Sequence, residues 1–171
     1  SKLVDLEIDA AKLLTITGDK NLTITAAVNF FDNASGVAGA IDGVVDASAF
    51  TGKLNFKADA DEMDIRGGTG NDTINMVATL NGYDKIDGGD GTDTLTMNAA
   101  ALGTQFAQTT NIEALTFNAS TGNQAVNLAK VPASIKTVTS NNSDSTDDTA
   151  SETVTFSNHT TQLIGVKHTV A

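Results

Sequence analysis

Apolar and polar residues alternate strictly in the first part of the chain. Leu14-Thr15-Ile16-Thr17 recurs as Leu22-Thr23-Ile24-Thr25, and Gly18-Asp19-Lys20-Asn21 separates the two copies. An apolar residue at every second position is typical of a strand with one buried face, and a link rich in Gly, Asp and Asn is typical of a turn. The pattern therefore predicts a unit of strand, turn and strand.

This unit recurs further along the chain. The run IDA at residues 8–10 leads to the first LTIT segment, and VDA at residues 45–47 leads to LNF at residues 54–56. Later strands are predicted at residues 112–117, 126–128, 135–138, 152–156 and 162–170. The sequence also predicts one short helix at residues 98–108 and a mobile polar loop at residues 139–151. Repetition of short strands favours an all-β fold, a β-solenoid of the parallel β-helix or β-roll type.

We expect one continuous domain with three parts. Residues 1–57 carry the strand-turn repeats, residues 58–97 are rich in glycine and aspartate, and residues 98–171 return to β-rich sequence that contains the polar loop. The chain opens within a pattern, at SKLVDLEID, so we expect it to be a fragment of something longer.

The middle part contains two complete nine-residue repeats. Residues 67–75 (GGTGNDTIN) and 88–96 (GGDGTDTLT) both fit G-G-x-G-x-D-x-U-x, where U is a large aliphatic residue. Between them, residues 79–87 (TLNGYDKID) keep only the second half of the pattern. Nine residues make half a rung of a solenoid, so the turn at 67–72 should stack on the turn at 88–93, with the incomplete turn on the opposite side.

Each position of the repeat has a physical role. Glycine permits the left-handed backbone of a tight turn and the close approach of carbonyl oxygens. Aspartate supplies a hard anionic oxygen, which suits Ca²⁺ better than zinc or copper. The aliphatic residue points inward from a short strand and stacks on the next rung. The repeats therefore predict a calcium-binding coil.

Composition narrows the range of functions. There are 21 acidic residues against 10 basic ones in 171, which gives a net charge of −11, and cysteine is absent. Such a surface attracts cations and repels nucleic acid and anionic membranes. The chain has no run long and apolar enough to insert in a membrane, and no H-E-x-x-H or G-x-S-x-G motif. We therefore expect a protein that is not an enzyme, binds no nucleic acid and does not insert in membranes.

The two repeats resemble the RTX nonapeptides of bacterial proteins exported by type I secretion. The flanking stretches LLTITGDKNLTIT, VDASAFTGKLNF and TTNIEALTFNAS look like the coils of RTX-type surface-layer proteins, such as that of Caulobacter. The resemblance implies an RTX β-roll at 58–97, with Ca²⁺ held by the side chains of Asp72 and Asp93, a further carboxylate from Asp90, and carbonyls around Gly67, Thr69, Gly89 and Gly91. It also allows a second ion at Asp84, with Asp61 or Asp64, although the acids at 59–64 are more often a solvated face.

The function implied by this resemblance is structural. We expect a calcium-binding segment of an extracellular surface-layer (S-layer) protein at the bacterial cell surface, which folds on binding Ca²⁺ and self-assembles with copies of itself into a lattice. One alternative is a calcium-stabilised carbohydrate-binding or adhesive module with cell-surface polysaccharide as its partner. Another is the secretion domain of a type I-secreted toxin or protease.

Overall fold

The computed structural model describes residues 2–3, 7–9, 12–31, 40–58, 62–76, 80–98, 104–119, 124–127, 130–142, 154–157 and 165–170. These residues form short strands joined by turns, with a 3-10 helix at Thr104–Phe106, and none of them is in an α-helix. In this part of the chain, no helix has the length and apolar character needed to cross a membrane.

The strands are short and follow one another closely. In chain order they are β1 (Lys2–Leu3), β2 (Glu7–Asp9), β3 (Leu13–Thr15), β4 (Leu22–Ile24), β5 (Asn29–Phe31), β6 (Gly43–Asp46), β7 (Leu54–Lys57), β8 (Met63–Arg66), β9 (Thr73–Asn75), β10 (Lys85–Asp87), β11 (Thr94–Asn98), β12 (Thr109–Thr110), β13 (Ala114–Ala119), β14 (Gln124–Asn127), β15 (Thr137–Asn142), β16 (Val154–Ser157) and β17 (Gly165–Val170).

The strands pair in parallel. An 8-stranded sheet has the order β1-β4-β7-β9-β11-β13-β15-β17, a 5-stranded sheet has the order β12-β10-β8-β6-β3, and β2-β5 and β14-β16 form separate pairs. The chain passes from the smaller sheet to the larger one at each of β3–β4, β6–β7, β8–β9, β10–β11 and β12–β13. Successive passages stack along one axis, which confirms the predicted all-β solenoid.

Aliphatic and aromatic side chains stack inside the coil. Phe56, Ile74, Leu95, Leu115 and Val138 occupy equivalent positions on adjacent strands of the larger sheet, and each is fully buried. The smaller sheet adds Val45, Ile65 and Ile86 to the same core. The aliphatic positions of the two nonapeptides, Ile74 and Leu95, therefore point inward as predicted.

Two predicted elements differ from the structure. Within the predicted helix at 98–108, residue 98 ends β11 and Thr104–Phe106 form a single 3-10 turn, while 99–103 lie outside the described residues. The predicted loop at 139–151 begins too early, because β15 continues to Asn142 and pairs with both β13 and β17. Backbone hydrogen bonds to strands on both sides extend this polar strand, and a search for alternating apolar residues does not detect such a strand. Residues 143–151 lie outside the described residues.

Candidate cation site in the turn column

The turns that join the smaller sheet to the larger one form a stack, which we call the turn column. It consists of residues 16–21, 47–53, 67–72, 88–93 and 111–113. Backbone hydrogen bonds connect neighbouring turns: Thr69 N donates to Phe50 O at 3.0 Å, and Asp90 N donates to Gly68 O at 2.9 Å. The turn at 67–72 thus lies directly against the turn at 88–93, as the repeat spacing predicts.

The turn of the incomplete repeat lies at the start of the strands of the smaller sheet, and the turn column lies at their end. Asp84 comes just before β10, whereas the turn column follows that strand. The Asp84 carboxylate is buried and accepts hydrogen bonds from Met63 N at 3.0 Å and from Asn81 N at 2.8 Å. Burial raises the pKa of Asp84, and the two hydrogen bonds oppose that shift.

Glycines allow the turns to stack this closely. A Cβ on Gly67 would overlap the carbonyl oxygen of Gly88, and a Cβ on Gly88 would overlap the carbonyl oxygen of Asn111. Gly89 and Gly91 have φ values of 86° and 133°, which favour glycine. The left-handed backbone predicted for the repeats is thus present in the turn at 88–93.

Three acids form a ladder along the inside of the column. Asp72 Oδ1 accepts Leu54 N at 2.8 Å, Asp93 Oδ1 accepts Asp72 N at 2.7 Å, and Glu113 Oε2 accepts Asp93 N at 2.8 Å. Each carboxylate therefore accepts a backbone N–H of the preceding rung, either from its turn or from the first residue of the strand that follows. Hydrogen bonds from a backbone N–H to a charged acceptor are stronger than neutral ones, so the ladder ties neighbouring turns together.

Asp72 and Asp93 differ in their second oxygen. Asp72 Oδ2 accepts Gly68 N at 3.0 Å, so both of its oxygens are satisfied. Asp93 is fully buried, and its Oδ2 has no hydrogen-bond partner. A buried acceptor without a hydrogen bond lowers the stability of the fold, so the position of this oxygen needs an explanation.

The surroundings of Asp93 are anionic. Burial raises the pKa of Asp93 to about 7, and the charges of Asp72, Glu113 and Asp87 add to the rise. Burial also raises the pKa of Asp72, where hydrogen bonds from Leu54 and Gly68 oppose it. A cation beside Asp93 would remove both the unpaired acceptor and the mutual repulsion of these acids.

The donor set fits Ca²⁺ in kind. Oxygen ligands from carboxylates and backbone carbonyls are those that Ca²⁺ prefers. Among the described residues, no group of three or more His, Cys, Asp or Glu side chains gathers as a metal cluster. An ion in the column would therefore rely on one or two carboxylates supplemented by carbonyl oxygens. Asp93 Oδ2 and Asn111 O both lie beside Gly88, where they enclose the position that a Cβ would fill.

The other predicted ligands are placed as follows. Asp90 and Thr69 are exposed at the outer surface of their turns. Asp64 lies on β8 and binds Arg66, with Nη2 to Oδ2 at 2.8 Å and Nε to Oδ1 at 3.2 Å. Asp61 lies outside the described residues. The structure thus brings Asp72 and Asp93 together and engages Asp64 elsewhere.

Glu113 is a member of the ladder that the sequence patterns did not single out. Its turn has only three residues and lacks the glycines of the repeat. The signal that remains is spacing, because Glu113 stands two residues before Leu115, as Asp93 stands before Leu95. The chain matches no protein-family model, no curated protein and no solved structure.

Proposed function

We propose that this chain is a structural segment of an extracellular surface-layer protein that is stabilised by Ca²⁺ and joins copies of itself in a lattice. The observation that carries the calcium part is the buried Oδ2 of Asp93, which has no partner and lies in an anionic column of stacked turns. The solenoid suits a structural role because its rungs repeat along one axis and can extend a rigid rod.

Calcium would act through linkage between binding and folding. In the folded chain, the ladder brings the acids of successive turns together, and in the unfolded chain they separate. An ion that binds only the folded form adds RT ln(1 + [L]/Kd), about 4 kcal/mol at a thousandfold excess over Kd. Calcium is scarce in cytosol and plentiful outside cells, so such a chain would fold fully after export.

Calcium titration of chelator-treated protein tests both parts of the proposal. We expect the midpoint of thermal unfolding to rise by roughly 8–16 °C at a thousandfold excess of Ca²⁺ over Kd, since each kcal/mol shifts the midpoint of a domain this size by about 2–4 °C. Light scattering on the same samples should show growth from monomer to large particles that chelator reverses. A midpoint that Ca²⁺ leaves unchanged contradicts the calcium role, and a stabilised but permanently monomeric particle contradicts assembly by this segment.

A groove on the outer face of the smaller sheet supports a second candidate, a carbohydrate-binding module. Its volume is about 420 Å³, and its polar lining consists of Asp64, Arg66, Lys85, Asp87, Gln108 and Thr110. These side chains offer both hydrogen-bond donors and acceptors, and the bases and acids of the groove balance in a strongly acidic chain. A hydroxyl-rich, uncharged sugar fits such a lining better than a polyanion.

Tyr83 is an exposed aromatic residue whose backbone contacts Gln108, one of the residues that line the groove. Its side chain is 49% exposed, and Gln108 Nε2 donates to its carbonyl at 3.2 Å. We expect Arg66→Ala to weaken binding to immobilised neutral glucans, mannans or galactans at least tenfold in affinity electrophoresis. Lys53→Ala, an exposed cation in the turn column, is the control and should change nothing. Absence of retardation by all three glycans contradicts this candidate.

A further inference from the structure

The seam between the two complete nonapeptides has few free carboxylate oxygens. Both oxygens of Asp72 accept backbone N–H groups, from Leu54 and Gly68, and Asp93 Oδ1 accepts Asp72 N. The carbonyl of Gly68 already accepts Asp90 N. Both oxygens of Asp72, one oxygen of Asp93 and the Gly68 carbonyl are therefore already occupied by the protein itself.

The next seam, between residues 88–93 and 111–113, is different. Asp93 Oδ2 is buried there without a partner, and a Cβ built on Gly88 would lie 2.7 Å from it while overlapping Asn111 O. These two oxygens, one carboxylate and one carbonyl, are thus close neighbours. Glu113 reaches the same place, because its Oε2 accepts Asp93 N at 2.8 Å.

The short turn at 111–113 also has an unusual backbone conformation. Asn111 has a φ of 50°, the one positive φ at a non-glycine position among the described residues. Its side chain donates from Nδ2 to Asp87 Oδ1 at 2.8 Å, which holds this conformation. A residue in this region is found where the surroundings impose it, often at a binding site. Here the residue is the one whose carbonyl oxygen lies close to Asp93 Oδ2 beside Gly88.

We infer that the Ca²⁺ site lies between turns 88–93 and 111–113, and that Glu113 and the Asn111 carbonyl join Asp93 there. This inference rests on the proposed calcium role and moves the ion one turn beyond the seam that the nonapeptides predict. Glu113 takes the place of a third repeat aspartate: its turn is three residues shorter than 88–93, and its longer side chain spans the difference.

Calcium affinity of matched variants tests this placement. Glu113→Gln and Asp93→Asn each keep an amide oxygen that can accept the N–H now bound, so both should fold in the absence of calcium. We expect each variant to bind Ca²⁺ at least tenfold more weakly in isothermal titration calorimetry. We also expect each variant to lose the luminescence of bound Tb³⁺, which is excited through Tyr83 or, if Tyr83 does not transfer energy, directly. Circular dichroism of the calcium-free proteins checks that the fold is retained.

Two further variants separate the outcomes. Glu62→Gln, the same change just before β8 and so at the end of the strands remote from the turn column, should leave the affinity within twofold. Asp90→Asn examines the seam between the nonapeptides and should also have little effect. If Asp90→Asn weakens binding and Glu113→Gln does not, the ion lies in the nonapeptide seam, and the placement is wrong while the calcium role stands. If the unaltered protein binds no Ca²⁺, both are wrong.

Discussion

Gly68→Ala should lower the free energy of unfolding by about 3 kcal/mol or more, the upper range for overpacking a filled interior. A Cβ on Gly68 would overlap the carbonyl oxygen of Phe50 and approach the carbonyl oxygen of Ala47 to 2.9 Å. Both atoms belong to the backbone of the preceding turn, so no side-chain rotation relieves the overlap. The turns must separate, and the hydrogen bond from Thr69 N to Phe50 O is lost with them.

Urea unfolding at fixed calcium concentration measures this effect. Thr69→Ala, next in the chain and exposed, is the control and should stay within about 0.5 kcal/mol. Gly18→Ala should lower the free energy of unfolding by an intermediate amount, roughly 1–2 kcal/mol. Gly18 has a φ of 124°, which strains any other residue, but an added Cβ would meet only Phe50 Cε2, at 3.9 Å. An effect of Gly68→Ala no larger than that of Thr69→Ala would mean that neighbouring turns accommodate the added Cβ and that close stacking does not require glycine at this position.

Asp93→Asn should reverse its effect on stability when calcium is added. Without calcium at pH 8, we expect the variant to be more stable than the parent by on the order of 2–4 kcal/mol, since it removes a buried charge whose pKa is raised to about 7. The new Nδ2 also gains the carbonyl of Asn111 as an acceptor close by. With calcium at a thousandfold excess over the parent's Kd, the parent gains about 4 kcal/mol, and the variant gains less because it binds Ca²⁺ more weakly.

The pH dependence of the calcium-free parent follows from the same raised pKa. The folded form holds a proton on Asp93 that the unfolded form releases near its ordinary pKa of 3.8. Stability therefore falls as pH rises from about 4 to about 7, and levels off above that range. The variant should show a shallower fall, because only Asp72 and Asp84, whose pKa values are also raised, remain. Parallel slopes for the two proteins would show that Asp93 ionises freely in the fold.

The one-dimensional pattern determined the architecture, because a solenoid repeats local units. An aliphatic residue at a constant position of each unit places Ile74 and Leu95 in the core, and glycines at constant positions let the turns stack. Such constraints act within one rung and on its immediate neighbours, so spacing along the chain translates directly into position along the axis. The stacking of turn 67–72 on turn 88–93 was predictable for this reason.

The tertiary structure decided which oxygens of these turns are free. Asp72 and Asp93 occupy the same position of the repeat. Both oxygens of Asp72 accept backbone N–H groups, whereas Oδ2 of Asp93 has no hydrogen-bond partner. That difference arises within each turn, because Gly68 N donates to Asp72 Oδ2 at 3.0 Å, whereas the matching Gly89 N donates to Asp87 Oδ1 at 3.1 Å. Glu113 enters the column only because β11 and β13 pair in register and bring turn 111–113 onto turn 88–93. Spacing placed the acids along the axis, and the hydrogen bonds of the folded turns determined which carboxylate oxygen stays free for a cation.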